Sequence, residues 1–151
     1  MNTEEFMKDD IMLGVLAGFV GNIPKEIITW LLHFLGYLRY TFVHIAAGTF
    51  VPKEFIDNPI SLVTGAIADW IMVGIIGTVT VYFIKYTDYR FPIIKSIFLS
   101  SAFYILLYGA LMALDVTRAS LLTPLPNLLL FIPHLAMGIG IGWFIKKYQV
   151  K

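Results

Sequence analysis

The chain has 151 residues, of which 58% are hydrophobic and only 14% are charged, and its net charge is +1. An ordinary soluble domain is about 25% charged, and a soluble fold of this size cannot bury so much apolar surface in one core. A soluble globular enzyme and a disordered chain are therefore excluded. A nucleic-acid binder is disfavoured too, because the near-neutral charge supplies no basic field to hold phosphates. The composition predicts an integral membrane protein.

The N-terminal residues and the cysteine content narrow the interpretation further. The sequence contains no cysteine, which excludes disulfides, thiolate metal sites and cysteine nucleophiles. A secretory signal peptide would begin with basic residues and end at a small-residue cleavage site, whereas residues 1–10 carry Glu4, Glu5, Asp9 and Asp10 against Lys8. The first apolar segment is therefore expected to remain as a membrane span.

Four apolar stretches are long enough to cross a bilayer, which takes about 20 residues. They cover about residues 11–36, 60–84, 92–114 and 126–145. The first contains Asn22–Pro24, where proline removes a backbone donor and asparagine can cap a new helix, so we expect this helix to be kinked or broken there. The predicted fold is all-α, a bundle of four transmembrane helices forming a single domain.

Residues 37–50 differ in character from the spans. Tyr37, Arg39, Tyr40 and His44 mix aromatic and polar side chains, as is typical of the membrane–water interface. The segment is predicted to be a helix extension or an amphipathic helix that lies on the surface.

The distribution of basic residues predicts the orientation of the bundle. With four spans, both termini lie on one side of the membrane. That side would carry seven of the 11 lysines and arginines, namely Lys8, Lys85, Arg90, Lys95, Lys146, Lys147 and Lys151. The opposite side would carry only Arg39, Lys53 and Arg118. Both termini are therefore predicted to be cytoplasmic.

Polar side chains occur at membrane depth in all four spans. A charge near the bilayer centre costs at least about 2.5–3.5 kcal/mol on insertion scales, so such groups should face the bundle interior and pair. At about 1.5 Å of rise per residue, Lys25, Asp69, Tyr104 and His134 fall near one level. The predicted polar cluster consists of Asn22, Lys25, Glu26, His33, Asp69, Tyr104 and His134. Lys25 or Asn22 is expected to pair with Asp69, and Glu26 with His134 or Tyr104.

Small residues spaced by four predict close helix packing, within the chain rather than between subunits. The glycines of this pattern are Gly14, Gly18, Gly21, Gly65, Gly138 and Gly142. The glycine-rich run at 138–142 is not a phosphate loop, because no strand precedes it. The three histidines lack metal-ligand spacing, so no metal or other cofactor is predicted.

Three segments carry a resemblance to a known group of proteins. They are Gly14–Lys25 (GVLAGFVGNIPK), Gly65–Asp69 (GAIAD) and the pair Tyr108–Gly109. In these the chain resembles the YqhR-like proteins, small four-span membrane proteins of Gram-positive bacteria. The likeness covers most of the chain in topology and the first two spans in motif. It implies a four-helix architecture and a multi-pass location in the bacterial plasma membrane, and it carries over no ligand or catalytic residue.

Three functions are compatible with these features. The favoured one is an accessory or structural membrane subunit, in which the polar cluster is an internal lock that fixes helix register. The alternative is a small oligomeric transporter or channel with an ion or solute path through the cluster. A lipid-active membrane enzyme with Glu26, Asp69 or His134 as acid or base ranks last. The expected partners are the lipid bilayer and a second copy of the chain or a larger membrane complex.

Overall fold

The computed structural model describes residues 9–120 and 123–148, and it is all-helical over these ranges. The helices are α1 (Asp10–Phe34), α2 (Phe42–Ala47), α3 (Pro59–Tyr86), α4 (Pro92–Phe103), α5 (Gly109–Ala113) and α6 (Pro124–Tyr148). A 3₁₀ turn covers Lys53–Phe55, and a π turn, Tyr104–Tyr108, joins α4 to α5. Glu4, Glu5, Lys8 and Lys151, which entered the sequence argument, lie outside the described residues.

Four helices are long and apolar enough to cross a membrane, which confirms the predicted all-α architecture. They are Asp10–Phe34, Pro59–Tyr86, Pro92–Ala113 and Pro124–Tyr148. Side chains define where the first two begin. The Asp9 carboxylate accepts the backbone N–H groups of Ile11 and Met12, and Asn58 Oδ1 accepts that of Ile60. Such caps satisfy donors that have no partner in the first helical turn.

The first span is one continuous helix with Pro24 inside it. The predicted break at Asn22–Pro24 is therefore wrong, and a kink at this point is not shown. Proline removes a single donor from the helix ladder, and packing against neighbouring helices can hold the flanking turns in place. Asn22 caps no new helix, because its side chain is bound to Asp69 of α3.

Glycines bring the backbones of packed helices close together. α1 lies against both α3 and α6, and the third span lies against α6. A methyl group added at Gly18 would lie 2.1 Å from the carbonyl oxygen of Val73, and one at Gly21 would lie 2.7 Å from that of Met137. The remaining glycines of the predicted set, Gly14, Gly65, Gly138 and Gly142, likewise face backbone atoms of a neighbouring helix in the same chain.

The segment before α3 is folded into the bundle. Leu38, Tyr40, Phe42 and Ile45 are all buried, so this side of the segment packs against the spanning helices. Gly65 permits this packing, since a methyl group there would lie 2.2 Å from the carbonyl oxygen of Val43. Because Gly65 of α3 has no side chain, α2 can pack directly against α3, and the apolar side chains of α2 are buried. A position at the membrane interface stays a prediction.

Two apolar clusters form the core. One contains Leu13 and Ala17 of α1 with residues of α3 and α6, and the other contains Phe42 and Tyr104. Lys25 contacts the second cluster through the ring of Phe42. The predicted polar cluster therefore borders this second apolar cluster at Lys25.

Candidate functional site

A buried ion pair joins α1 to α3. Lys25 is 1% exposed, and its Nζ lies 2.6 Å from Oδ1 and 2.8 Å from Oδ2 of Asp69. Asn22 donates a second hydrogen bond to Oδ2 of Asp69 through Nδ2, at 3.2 Å. The predicted pairing of Asp69 is confirmed, and it involves both Lys25 and Asn22. The Asp69 carboxylate thus has three short contacts to α1.

Helical spacing positions the α1 side of this pair. Asn22, Lys25 and Thr29 are all buried and recur every three or four residues, which places them on one face of the helix. The Thr29 hydroxyl donates to the backbone carbonyl of Lys25 at 2.6 Å. The short side chain of Asp69 reaches this face because Gly18, one turn before Asn22, brings α1 and α3 into backbone contact.

Glu26 lies beside the pair but has a different partner from the one predicted. Its Oε2 accepts a hydrogen bond of 3.1 Å from Nε1 of Trp30, one turn along α1. Its Oε1 lies 3.3 Å from Lys25 Nζ without hydrogen-bond geometry. The prediction that Glu26 pairs with Tyr104 or His134 is wrong. The Trp30 indole, one turn away on the same helix, supplies the donor instead.

Aromatic rings connect the ion pair to α2 and α6. The Phe42 ring centroid lies 4.8 Å from Lys25 Nζ, a distance at which the ring face attracts a cation. The same ring lies 4.7 Å from the imidazole of His134, which in turn lies 4.8 Å from the ring of Tyr104. His134 therefore belongs to the site through ring contacts. Its Nδ1 lies 3.3 Å from the backbone carbonyl oxygen of Leu130.

A second polar contact joins the third and fourth spans. The hydroxyl of Tyr104 donates to the backbone carbonyl of Asn127, and that of Tyr108 donates to Asn127 Oδ1 at 2.5 Å. The two tyrosine rings stack with centroids 4.9 Å apart. They lie on the π turn, a feature found frequently at functional sites. Asn127 was absent from the predicted cluster, although its place near the start of an apolar span is a signal of the same kind.

His33 lies at the end of α1, away from the ion pair. Its Nδ1 is 2.9 Å from the carbonyl oxygen of Leu38, and its ring lies 5.3 Å from that of His44. The structure thus separates His33 from Lys25 and Asp69 and brings it to His44, which sequence reasoning did not select. Burial lowers the pKa of His44, the neighbouring His33 lowers it further, and Asp57 opposes both.

A cavity of about 270 Å³ reaches the ion pair from the gap between α3 and the third span. Most of its lining is apolar and comes from α2, α3 and the third span. Its polar lining residues are Lys25, Thr49, Asp69, Tyr104, Tyr108 and His134. The arrangement can hold a small molecule or several waters against a buried charge pair.

Within residues 9–120 and 123–148, no group of three or more His, Asp or Glu side chains is arranged to hold a metal ion. Comparison of the chain with family models, curated proteins and solved structures gives no match. The resemblance to the YqhR-like proteins therefore stays a prediction, and function has to be inferred from the geometry of this site.

Proposed function

We propose that this chain is an accessory or structural subunit of the bacterial plasma membrane, in which Lys25 and Asp69 form an internal lock between α1 and α3. Four apolar helices of spanning length are compatible with a polytopic membrane protein. One observation carries the proposal: both oxygens of Asp69 lie within 2.8 Å of the Nζ of Lys25, a side chain that is 1% exposed.

A buried pair of this kind specifies one packing arrangement. Rotating or sliding α1 against α3 would leave two charges without partners, and uncompensated charge in a bilayer is costly. The Asn22 amide adds a third contact to the same carboxylate. In the favoured register, both Lys25 and Asn22 therefore donate to Asp69. Such a contact favours one register without requiring a substrate.

The lock is tested with Asp69→Asn in the full chain purified in detergent. The expected result is a clear fall in Tm, with no ion flux from reconstituted liposomes of either wild type or variant. Asp115→Asn is the matched control, because Asp115 is exposed and has a positive φ of 51° that asparagine accepts readily. An Asp69→Asn protein as stable as the control would contradict the lock.

The cavity favours a second candidate, a small oligomeric transporter or channel. A lock needs no open volume, yet this cavity ends on Lys25 and Asp69. The test is proton, Na⁺ and K⁺ flux in proteoliposomes, with Asp69→Asn as the variant. Flux that the substitution abolishes would support transport and contradict a purely structural role. Absence of flux for all three ions would contradict an ion path.

The proposed orientation has both termini in the cytoplasm, and the natural absence of cysteine makes it easy to test. Lys53→Cys lies in the loop before α3, and Arg90→Cys lies in the loop between α3 and α4. A membrane-impermeant maleimide added to whole cells should label the first variant, and it should label the second only after the membrane is opened. The reverse pattern would overturn the orientation.

A further inference from the structure

The site contains one lysine and two carboxyl groups. Lys25 lies 2.6 Å from Asp69 and 3.3 Å from Glu26, and no other lysine or arginine of the described ranges makes an ion contact with either carboxyl group. If both carboxyl groups were ionised, the site would hold an uncompensated negative charge. Both side chains are largely buried, at 15% exposure for Glu26 and 10% for Asp69, so that charge would be poorly solvated.

Asn22 Oδ1 is buried and accepts no hydrogen bond from the described residues, and the closest cationic group to Glu26 Oε1 is the ammonium of Lys25, at 3.3 Å. The two oxygens belong to residues four apart on α1, whose side chains are neighbours on the helix surface. The orientation of the Asn22 amide is set, because its Nδ2 must face the Asp69 carboxylate to which it donates. A buried acceptor such as Asn22 Oδ1 needs a donor, and Glu26 is within one helical turn of it.

We propose that Glu26 is a proton-binding site, with the proton on Oε1 and donated to Oδ1 of Asn22. A protonated carboxyl group is a hydrogen-bond donor, which an ionised one is not. A single proton on Glu26 therefore removes the surplus charge and supplies the donor that Asn22 Oδ1 lacks. Oε2 stays free to accept from Trp30, as the structure shows. The inference goes beyond the lock, which requires only Lys25 and Asp69.

A proton fits this place better than a metal cation. The ammonium group of Lys25 lies 3.3 Å from Glu26 Oε1, so a metal ion bound to that oxygen would be held close to another positive charge. A shared proton places no further full charge beside the lysine, because it neutralises the carboxylate that carries it.

The other titratable groups around Glu26 come from four helices. Asp69 on α3 is the second carboxyl group, and His134 on α6 lines the same cavity as Lys25. Trp30, which donates to Glu26, also contacts the rings of His33 on α1 and His44 on α2, with ring centroids 5.6 Å and 5.4 Å away. Asp69 is the competing site for the proton, and the experiment has to distinguish it from Glu26.

Infrared spectroscopy of the full chain in lipid vesicles tests the inference, since a protonated carboxyl group has a carbonyl band that an ionised one lacks. At neutral pH, exposed carboxyl groups are ionised, because their ordinary pKa is about 4. We expect a carboxylic acid band in the wild type, its loss in Glu26→Gln and its retention in Glu54→Gln, a control on the exposed 3₁₀ turn. Absence of the band, or a band that survives Glu26→Gln and is lost in Asp69→Asn, would overturn the proposal.

A second variant keeps the proposal testable if Glu26→Gln does not fold. Asn22→Leu removes the acceptor but leaves the carboxyl group, so the acid band should remain and move to the frequency of a more weakly hydrogen-bonded carbonyl. An unchanged frequency would show that the proton is not donated to Asn22. The result is independent of the thermal stability of Asp69→Asn, so the lock and the proton site can fail separately.

Discussion

The two sides of α3 differ sharply. Towards α1, the helix packs with backbones in contact at Gly18 and is joined by the Lys25–Asp69 pair. Towards the third span, it makes few contacts and borders the 270 Å³ cavity. We call these the closed side and the open side of α3. One apolar helix can therefore be fixed on one side and border an open cavity on the other.

The largest effect is expected from removing one charge on the closed side. Lys25→Met leaves the Asp69 carboxylate buried without its cation, and breaking such a pair costs about 3–5 kcal/mol. The double variant Lys25→Met/Asp69→Leu should recover most of this loss, because apolar side chains can replace a buried ion pair at little cost. The Tm of both proteins in detergent provides the measurement. If the double variant were no more stable than Lys25→Met, the loss of stability would not be due to the unpaired Asp69 charge.

A smaller but definite loss is expected from Gly18→Ala. The added methyl group would lie 2.1 Å from the carbonyl oxygen of Val73, so α1 and α3 must move apart, at about 1–3 kcal/mol. Gly109→Ala in the third span is the matched control, since its methyl group would meet no atom of another element within 4 Å. That control should be neutral or more stable by up to about 1 kcal/mol, because alanine favours helix. Equal losses of stability in Gly18→Ala and Gly109→Ala would show that the close backbone contact at Gly18 is not the cause.

On the open side, enlarging a side chain should cost little. Ala68→Leu adds three carbon atoms to a residue that lines the cavity, so the expected change in the free energy of unfolding is below about 1 kcal/mol. A loss as large as that of Gly18→Ala would show that the cavity is tightly closed in the membrane. If the chain conducts ions through the cavity, the same variant should lower the flux.

The smallest effect expected is the dependence of stability on pH through His44 of α2. Burial lowers the pKa of His44 below its ordinary value of 6.5, so the folded protein binds its proton less readily than the unfolded chain does. The contribution of neutral His44 to stability is present above pH 6.5 and is lost as the pH falls below it. Tm measured from about pH 7.5 down to about pH 5 should decrease, and His44→Gln should reduce the slope. A slope unchanged in the variant would assign the pH effect to other groups.

The ion pair was predictable because depth along a helix depends only on residue count. Lys25 and Asp69 fall at similar depth from any reasonable span boundaries, and buried opposite charges at one depth have to meet. The partner of Glu26 was not predictable in this way. It depends on the direction in which the Glu26 side chain points from the helix axis and on which donors lie within its reach. Trp30, one turn along the same helix, is such a donor.

The sequence by itself determined the all-helical fold and the four apolar helices of spanning length, because hydropathy and capping act over a few neighbouring residues. Only the tertiary structure decided that α1 continues through Pro24, that α2 enters the bundle at Gly65, and that a cavity opens beside Asp69. These outcomes depend on how closely two backbones approach. That distance is set jointly by residues far apart in the chain, and no local pattern contains it.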